Sequence, residues 1–203
     1  MIAGLLQVPP GTFAIAPSYL ALGADHILTG FDHLLFLFAL LLLVRRRRTL
    51  AWAVIAFTVA HSITLASATL GVVQVPTPPV EASIALSIAF LASELVLEAQ
   101  GRPGLAARWP CCVAFAFGLL HGLGFAGALG NAGLPSDAVP LALACFNVGI
   151  ELGQLAFLFA ALCVLSALRR LSLPRTAASW RTASAYAMGG VAMCWTLQRI
   201  DQF

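Results

Sequence analysis

Long apolar runs, separated by short polar or arginine-rich segments, make up most of this 203-residue chain. Several of the runs extend for about 20 residues, the length of a helix that crosses the hydrocarbon core of a bilayer. We therefore predict an all-α membrane protein with a bundle of six transmembrane helices. The predicted spans cover about residues 30–44, 49–71, 79–99, 108–130, 138–168 and 183–198.

The N-terminal part does not fit the pattern of a simple span. Residues 1–16 are rich in proline and glycine, and we expect them to form an extracytoplasmic lead-in. From Pro17 the sequence is compatible with a helix, which Gly30 allows to bend. We expect residues 17–29 to form an interfacial or partly re-entrant helix that leads into the first span; one long, tilted helix is the alternative. The whole chain, residues 1–203, is then a single polytopic membrane domain.

Composition supports this interpretation and excludes a soluble domain. The chain is 61% hydrophobic and only 9% charged, which is too little charge to cover a water-facing surface. It has eleven arginines and no lysine, and ten of the arginines follow the first, third and fifth predicted spans. By the positive-inside rule those segments face the cytoplasm, so both termini are predicted to be extracytoplasmic. Because the arginines flank apolar spans without interleaved surface aromatics, we expect them to face a lipid bilayer and no nucleic acid.

Three histidines lie at one depth in the predicted bundle. Counted from the cytoplasmic ends of their spans, His33, His61 and His121 are each roughly 18–20 Å into a hydrocarbon core about 30 Å thick. His26 comes two helical turns before His33, and Asp32 directly precedes His33. Ionisable residues at this depth are candidates for function, although a single membrane histidine more often serves as a hydrogen-bonding partner between helices. Three of them at one level favour a shared site.

Further polar residues form faces on the third and fifth spans. Asn147, Glu151 and Gln154 are spaced at i, i+4 and i+7, which places them on one side of a helix. We expect Asn147 and Glu151 either to contact a bound ion directly or to support and gate the residues that do. Glu94 on the third span either continues a polar path toward the cytoplasm or pairs with an arginine at a helix end. Glu81, near the outer end of that span, is expected to be interfacial.

The fourth predicted span carries small residues at four-residue intervals. The stripe consists of Gly118, Gly122, Ala126 and Gly130. Small residues at this spacing allow two helices to approach closely. We expect the stripe to pack against a neighbouring span, and dimerisation through it is the alternative.

The donor atoms in these spans indicate which ion a shared site would take. Imidazole nitrogen suits nickel, cobalt, zinc and copper, and carboxylates neutralise the charge of the ion. Calcium and magnesium fit less well because they prefer oxygen donors, and copper(I) fits less well because the sequence has no thiolate or methionine cluster. The candidate metal-binding residues are His26, Asp32, His33, His61, His121, Asn147 and Glu151.

Five sequence segments resemble, in order, those of the HupE/UreJ family of bacterial membrane proteins. They are HILTGFDH, FTVAHSITLASATLG, VEASIALSIAFLASE, FGLLHGLGFAGAL and FNVGIELGQLAF, and the likeness covers about residues 20–165. The five together are more specific than the histidine–aspartate–histidine motif of His26, Asp32 and His33 or the pair His121-Gly122 alone.

The resemblance implies a metal permease of the bacterial cytoplasmic membrane, typically for nickel, that serves the maturation of hydrogenase or urease. It also implies that the metal-handling residues are His26, Asp32, His33 and His121. One departure concerns the fourth span, where the nickel-permease form of the motif has a glutamate shortly after the histidine–glycine pair. This sequence has residues 125–129, FAGAL, at that place. Glu151 is then the candidate source of the acid, and metal transport is implied more firmly than nickel itself.

Two classes of function follow from these residues. The first is a permease for a divalent transition metal (nickel, zinc or cobalt) that enters past Glu81 and His26 and rests among the histidines; metalloenzyme-maturation proteins are its candidate partners. The second is an intramembrane zinc-dependent hydrolase, in which the same histidines hold zinc with an open position for water and Asp32 or Glu151 acts as general base. A structural accessory subunit, whose histidines contact only protein, is a third interpretation.

Overall fold

The computed structural model describes residues 16–124, 139–170 and 177–202. Within these ranges every regular element is an α-helix, which confirms the all-α prediction. The helices are α1 Ala16–Thr29, α2 Phe31–Leu43, α3 Arg47–Thr69, α4 Thr77–Ala99, α5 Leu105–Arg108, α6 Pro110–Gly124, α7 Val139–Arg170 and α8 Ala177–Ile200. Residues 1–15 of the predicted lead-in lie outside the described ranges.

Several of these helices have the length and composition of membrane spans. In the described ranges, three are long and apolar enough to cross a membrane alone: α3, α4 and the segment Val139–Leu168 of α7. The pair α1 and α2 passes the same test together and adds a fourth crossing if it forms one bent span. The apolar helix α6 is shorter, with 15 residues. The six-span count and the extracytoplasmic termini stay predictions.

The first two helices meet at Gly30, where the chain bends by 70°. The alternative of one long, tilted helix is therefore wrong, and the bent pair is either a broken span or a re-entrant loop. A Cβ at Gly30 would lie 2.8 Å from the His26 carbonyl oxygen and 2.9 Å from His33 Nδ1, so the bend leaves no room for a side chain. Seven residues of straight helix would separate His26 and His33 by about 10 Å along the axis. Across the bend their ring centroids are 4.8 Å apart.

The second helix lies inside the bundle. Phe36, Leu37 and residues 39–44 are all buried, and α2 contacts α1, α3, α4, α7 and α8. The closest pairings around it are α3 with α6, α1 with α7, and α4 with α8. A helix that is apolar on all sides is stable when other helices surround it, and this position accounts for the uninterrupted leucine-rich run of α2.

Small residues permit the close pairing of α6 with α3. A Cβ added to Gly118 or Gly122 would collide with the backbone of α3, and at Gly122 the collision is with the His61 carbonyl oxygen. The prediction that this stripe packs against a neighbouring span is therefore confirmed for these two positions. The other two members of the stripe, Ala126 and Gly130, lie outside the described residues.

The arginine-rich end of the bundle is held together by Glu98. Arg45 Nε donates to one oxygen of this carboxylate at 2.9 Å, and Arg181 Nη2 donates to the other at 2.7 Å. The same nitrogen of Arg181 donates to the Leu42 carbonyl oxygen at 2.6 Å. Because Arg45 lies two residues after the end of α2, these contacts join the ends of α2, α4 and α8.

Glu94 caps a short helix, a role that the sequence did not indicate. Its carboxylate accepts hydrogen bonds from the backbone N–H groups of Leu105 at 3.1 Å and Ala106 at 2.9 Å. An anionic acceptor at a helix N-terminus satisfies otherwise unpaired donors and interacts favourably with the helix dipole. The structure thus gives this buried acid a capping role in place of a pair with an arginine, which was one of its two predicted alternatives.

We expect Gly118→Ala to destabilise the protein by about 1–3 kcal/mol, because the α3 backbone must move to admit one methyl group. Gly190→Ala is the matched control on α8, where an added Cβ meets nothing within 4 Å. Alanine is the better helix former, so this control should be neutral or stabilising by up to about 1 kcal/mol. Thermal unfolding in a single detergent measures both variants. Equal effects at the two positions would contradict the close packing of α6 on α3.

Candidate functional site

The four histidines of the chain meet in one cluster although they come from four helices. The ring centroids of His26 and His33 are 4.8 Å apart, and those of His33 and His121 are 4.9 Å apart. The His61 ring lies 5.9 Å from that of His33 and 6.1 Å from that of His26. His33 is therefore the centre of a cluster that contains every histidine selected from the sequence.

This cluster is buried behind aromatic side chains. His61 and His121 have no exposed surface, and His33 is only 5% exposed. The rings of Phe36 and Phe57 each lie with their centroids 5.1 Å from that of His121. Apolar walls of this kind lower the local dielectric, so polar interactions beside them are strengthened.

Asp32 fixes the orientation and the tautomer of His33. The carboxylate Oδ1 lies 2.9 Å from His33 Nδ1, and an ionised carboxylate can only accept a hydrogen bond, so Nδ1 carries the proton. The same oxygen accepts the backbone N–H of His33 at 2.9 Å. In the neutral ring Nε2 then has the lone pair, and this buried atom has no hydrogen-bond partner among the described residues.

Ser87 fixes the tautomer of His121 by a different route. Its hydroxyl donates to the Ile84 carbonyl oxygen at 2.6 Å, which uses the one proton that a hydroxyl has. The 3.1 Å contact between Ser87 Oγ and His121 Nε2 is therefore a hydrogen bond that the imidazole donates. Nδ1 of His121 is left as the acceptor, and it too is buried without a partner in the part of the chain that the structure describes.

His61 also has unsatisfied ring nitrogens. Neither Nδ1 nor Nε2 has a hydrogen-bond partner within residues 16–124, 139–170 and 177–202. An unpaired buried polar group costs about 1–3 kcal/mol, so atoms of this kind mark places where an ion, a ligand or ordered water binds. With His33 and His121, this residue makes three adjacent imidazoles that can still accept a partner.

A cavity of about 110 Å³ lies beside the cluster. One water molecule accounts for about 30 Å³ of liquid water, so the cavity is large enough for an ion that keeps part of its hydration shell. The charged and imidazole side chains that line it are His26, Asp32, His33, Glu81, His121 and Arg199. These residues come from both sides of the bend at Gly30 and from the ends of α4, α6 and α8.

Arg199, in the last turn of α8, reaches the two acids that line this cavity. Its Nε lies 3.4 Å from Glu81 Oε2, and its Nη2 lies 3.8 Å from Asp32 Oδ2. Its Nη1 donates to the Glu81 backbone carbonyl oxygen at 3.0 Å. The guanidinium also lies 6.0 Å from the ring centroid of Trp195. A single fixed cation therefore compensates part of the charge of both carboxylates.

Asn147 and Glu151 do not line the cavity. Both are on α7, and the third residue of their stripe, Gln154, accepts a hydrogen bond from Thr58 at 2.9 Å. Thr58 lies three residues before His61 on α3, so the polar stripe of α7 faces the helix that carries this histidine. Asn147 Oδ1 is buried with no partner among the residues described, and Glu151 is half-buried. Across the described ranges, no group of three or more histidine, cysteine, aspartate or glutamate side chains has a geometry that would hold a metal ion.

Sequence reasoning did not select Ser87 or Arg199 for this site. The contact of Ser87 with His121 depends on how α4 and α6 are rotated against each other. Arg199 could have been selected from the sequence, because it is the one arginine of eleven outside the predicted cytoplasmic segments. A lone cation on the side that also carries Glu81 is a natural partner for that acid.

Over the described residues, the fold and the cluster define a helical membrane protein in which three buried histidines lie beside a half-buried histidine and a half-buried carboxylate. The chain belongs to the HupE/UreJ family: the family model described as HupE / UreJ protein matches residues 7–199, nearly the whole chain. This match confirms the resemblance carried by the five sequence segments. The family is associated with an accessory function in the transport of nickel or other metals. Comparisons with curated proteins and with solved structures gave no match.

We predict that His33 and His121 are held in opposite tautomers, with the proton on Nδ1 of His33 and on Nε2 of His121. NMR of protein with nitrogen-labelled histidine distinguishes the two forms. Ser87→Ala should release His121 into a mixture of tautomers, because its Nε2–H loses its acceptor. Ser83→Ala is the control, since the Ser83 hydroxyl donates to the Pro79 carbonyl oxygen at 2.8 Å. A wild-type His121 with its proton on Nδ1 would refute the assignment.

Proposed function

We propose that the protein transports a divalent transition-metal ion across the membrane, with nickel favoured by the family and zinc or cobalt as the alternatives. The observation that carries the proposal is a pair of anchored imidazoles, His33 and His121. Each has one ring nitrogen held by a neighbour and the other unsatisfied, and both line the same cavity. The residues proposed to bind the ion are His26, Asp32, His33, His61, His121, Asn147 and Glu151.

The anchoring of these imidazoles suits metal binding for a chemical reason. A histidine that binds a metal usually donates its second N–H to a carboxylate or another acceptor, which fixes the ring and raises its basicity. Asp32 is that acceptor for His33, and Ser87 is that acceptor for His121. Bonds from nitrogen to such metals are about 2 Å long. With ring centroids 4.9 Å apart, the two side chains are close enough to contribute to one binding site.

Transport also requires that the ion leaves its site again, so binding must be exchangeable. The rings of His26, His33 and His61 are close enough for an ion to pass between different sets of nitrogens. The cavity adds room for water as a further, easily replaced ligand. On α7, the unsatisfied Asn147 and the half-buried Glu151 are proposed to receive the ion after the histidines.

Arg199 occupies the place of a cation at the mouth of the cavity. Its guanidinium contacts Asp32 and Glu81, the carboxylates that an arriving ion is proposed to meet first. A divalent ion and a guanidinium compete for the same negative charge, because both are attracted to it at short range. Arrival of the ion therefore displaces Arg199, and its return closes the mouth behind the ion.

We assign this activity to the cytoplasmic membrane of a bacterium and expect metalloenzyme-maturation proteins to receive the ion. Both assignments rest on the family, which is associated with metal transport in an accessory function. The sequence has no nucleotide-binding motif. We therefore expect an ion gradient, the membrane potential or a partner protein to drive transport.

Metal binding to the detergent-purified protein tests the proposal. After equilibration with nickel, cobalt or zinc at neutral pH, the wild type should hold metal in a weak and exchangeable form. His33→Ala and His121→Ala should weaken binding by more than the roughly 10- to 100-fold that follows loss of a supporting group, since each removes a proposed ligand. Equilibrium dialysis in the presence of each metal, with elemental analysis of both compartments, measures the affinity and the stoichiometry. Ser83→Ala, which removes a polar group outside the cluster, should bind like the wild type.

The outcomes of this experiment separate the candidate functions. Exchangeable metal, together with uptake into vesicles that contain the protein, supports the permease. One tightly held zinc that is lost in both histidine variants and is not transported would favour the intramembrane hydrolase, with Asp32 or Glu151 as general base. A folded wild type that binds none of the three metals would contradict both and leave a structural role.

Substitution of Arg199 tests the competition at the mouth. We expect Arg199→Gln to raise the apparent affinity for nickel about fivefold, because removal of one cation from the two acids is worth about 1 kcal/mol. Arg199→Lys keeps the charge and should resemble the wild type. Arg102→Gln, at the other end of the bundle, controls for the change in net charge. Unchanged or weaker nickel binding by Arg199→Gln would mean that Arg199 serves only to stabilise the fold.

A further inference from the structure

A second cavity, of about 460 Å³, lies at the arginine-rich end of the bundle between α2, α3, α7 and α8. Its volume falls in the range of about 300–1,000 Å³ that is usual for ligand pockets. Much of its wall is apolar, with Leu42, Leu50 and Leu165 contributed by three different helices. It is separate from the histidine cluster, which lies at the opposite end of α2.

The same cavity is lined by three arginines, Arg45, Arg47 and Arg181. Two of them, Arg45 and Arg181, share the single carboxylate of Glu98, at 2.9 and 2.7 Å. Two positive charges on one negative charge leave an excess, and Arg47 adds to it. A guanidinium has five N–H donors, while the contacts to Glu98 use only Nε of Arg45 and Nη2 of Arg181. The cavity therefore offers both positive charge and hydrogen-bond donors to an anionic group.

This cavity also spans the level at which the apolar part of the bundle ends. Val44, directly after α2, is the last residue of the apolar run, and Arg45 begins the arginine segment; both residues line the cavity. Trp180 also lines this cavity, and tryptophan is enriched where the hydrocarbon core of a membrane meets the lipid headgroups. An occupant therefore needs an apolar part directly joined to an anionic part.

We infer that this cavity binds a phospholipid with an anionic headgroup. An acyl chain would lie along the leucines, and the phosphate would accept hydrogen bonds from the arginines. Basic pockets between membrane helices are known to hold headgroups of this kind. A zwitterionic phospholipid offers the same chain and phosphate, but the cation in its own headgroup cancels the charge that the arginines would recognise. The inference does not depend on the proposed transport function.

Substitution of Arg47 can distinguish an effect on lipid binding from an effect on the stability of the fold. It is the first residue of α3, where a positive charge opposes the helix dipole, so it does not stabilise that helix. Arg45 and Arg181, in contrast, hold Glu98 and join three helices. Loss of Arg47 alone should therefore weaken the binding of an anion and leave the bundle intact.

Native mass spectrometry of the full-length protein in mixed micelles with phosphatidylglycerol or phosphatidylcholine tests the inference. The wild type should prefer phosphatidylglycerol at least about tenfold, and Arg47→Gln should reduce this preference about fivefold, the contribution of one arginine near an anionic surface. Arg102→Gln makes the same charge change outside the cavity lining and should keep the preference. Equal unfolding temperatures in lipid-free detergent confirm that the variants fold alike.

A second variant tests the apolar part of the site. Leu165→Trp places a larger side chain in the cavity and should weaken the binding of both phospholipids several-fold. Inorganic phosphate should not compete with phosphatidylglycerol; if it competes fully, the site binds a small anion instead. Equal binding of the two phospholipids by the wild type would overturn the inference. So would equal effects of Arg47→Gln and Arg102→Gln, because attraction would then come from the whole arginine-rich surface.

Discussion

The site depends on the two contacts that the Asp32 carboxylate makes. A charge between membrane helices is tolerated only with partners, and this half-buried one has His33 on its own helix and Arg199 on α8. The contact with His33 determines which ring nitrogen carries the proton and therefore which one can bind a ligand. The contact with Arg199 connects the histidine cluster to the mouth of the cavity. The bend at Gly30 adds His26 to this site, because it brings the rings of His26 and His33 to within 4.8 Å of each other.

The helices themselves could be predicted from the sequence because the signals for them are local. Apolar length defined α3 and α4, whose observed bounds, Arg47–Thr69 and Thr77–Ala99, begin within two residues of the predicted 49 and 79. The bend at Gly30 was only one of two alternatives, since a glycine bends a helix or leaves it straight according to what packs around it. The short helix α5 was missed because its cap, Glu94, is supplied by a different helix. The pattern along one segment does not contain such contacts between segments.

The same distinction between local and non-local information determines which features of the site could be predicted from the sequence. Depth along a helix follows from a regular rise per residue, so counting alone placed His33, His61 and His121 at one level, and the structure brings them together. Rotation of one helix about its axis relative to another is not encoded locally. For this reason the hydrogen bond from His121 to Ser87 could not be predicted, although it decides which His121 nitrogen is available. The polar stripe on α7 was predicted as a face, but its contact with Thr58 was not.

Each end of the bundle has a cluster of charged side chains from α2, α4, α8 or the residues that follow α2. The signs of the charges are reversed between the two clusters. At the histidine end, Arg199 of α8 lies between an acid of α2 and an acid of α4. At the other end, Glu98 of α4 lies between an arginine of α8 and the arginine that follows α2. The excess charge at each end therefore matches the ion proposed for it: a cation at the histidines and an anion at the arginines. This arrangement also limits how α8 can move. If a divalent ion displaces Arg199, the bond from Arg181 to Glu98 still holds the far end of the helix. In the proposed mechanism, therefore, displacement of the Arg199 side chain leaves the contact that joins α8 to α4 at the arginine-rich end in place.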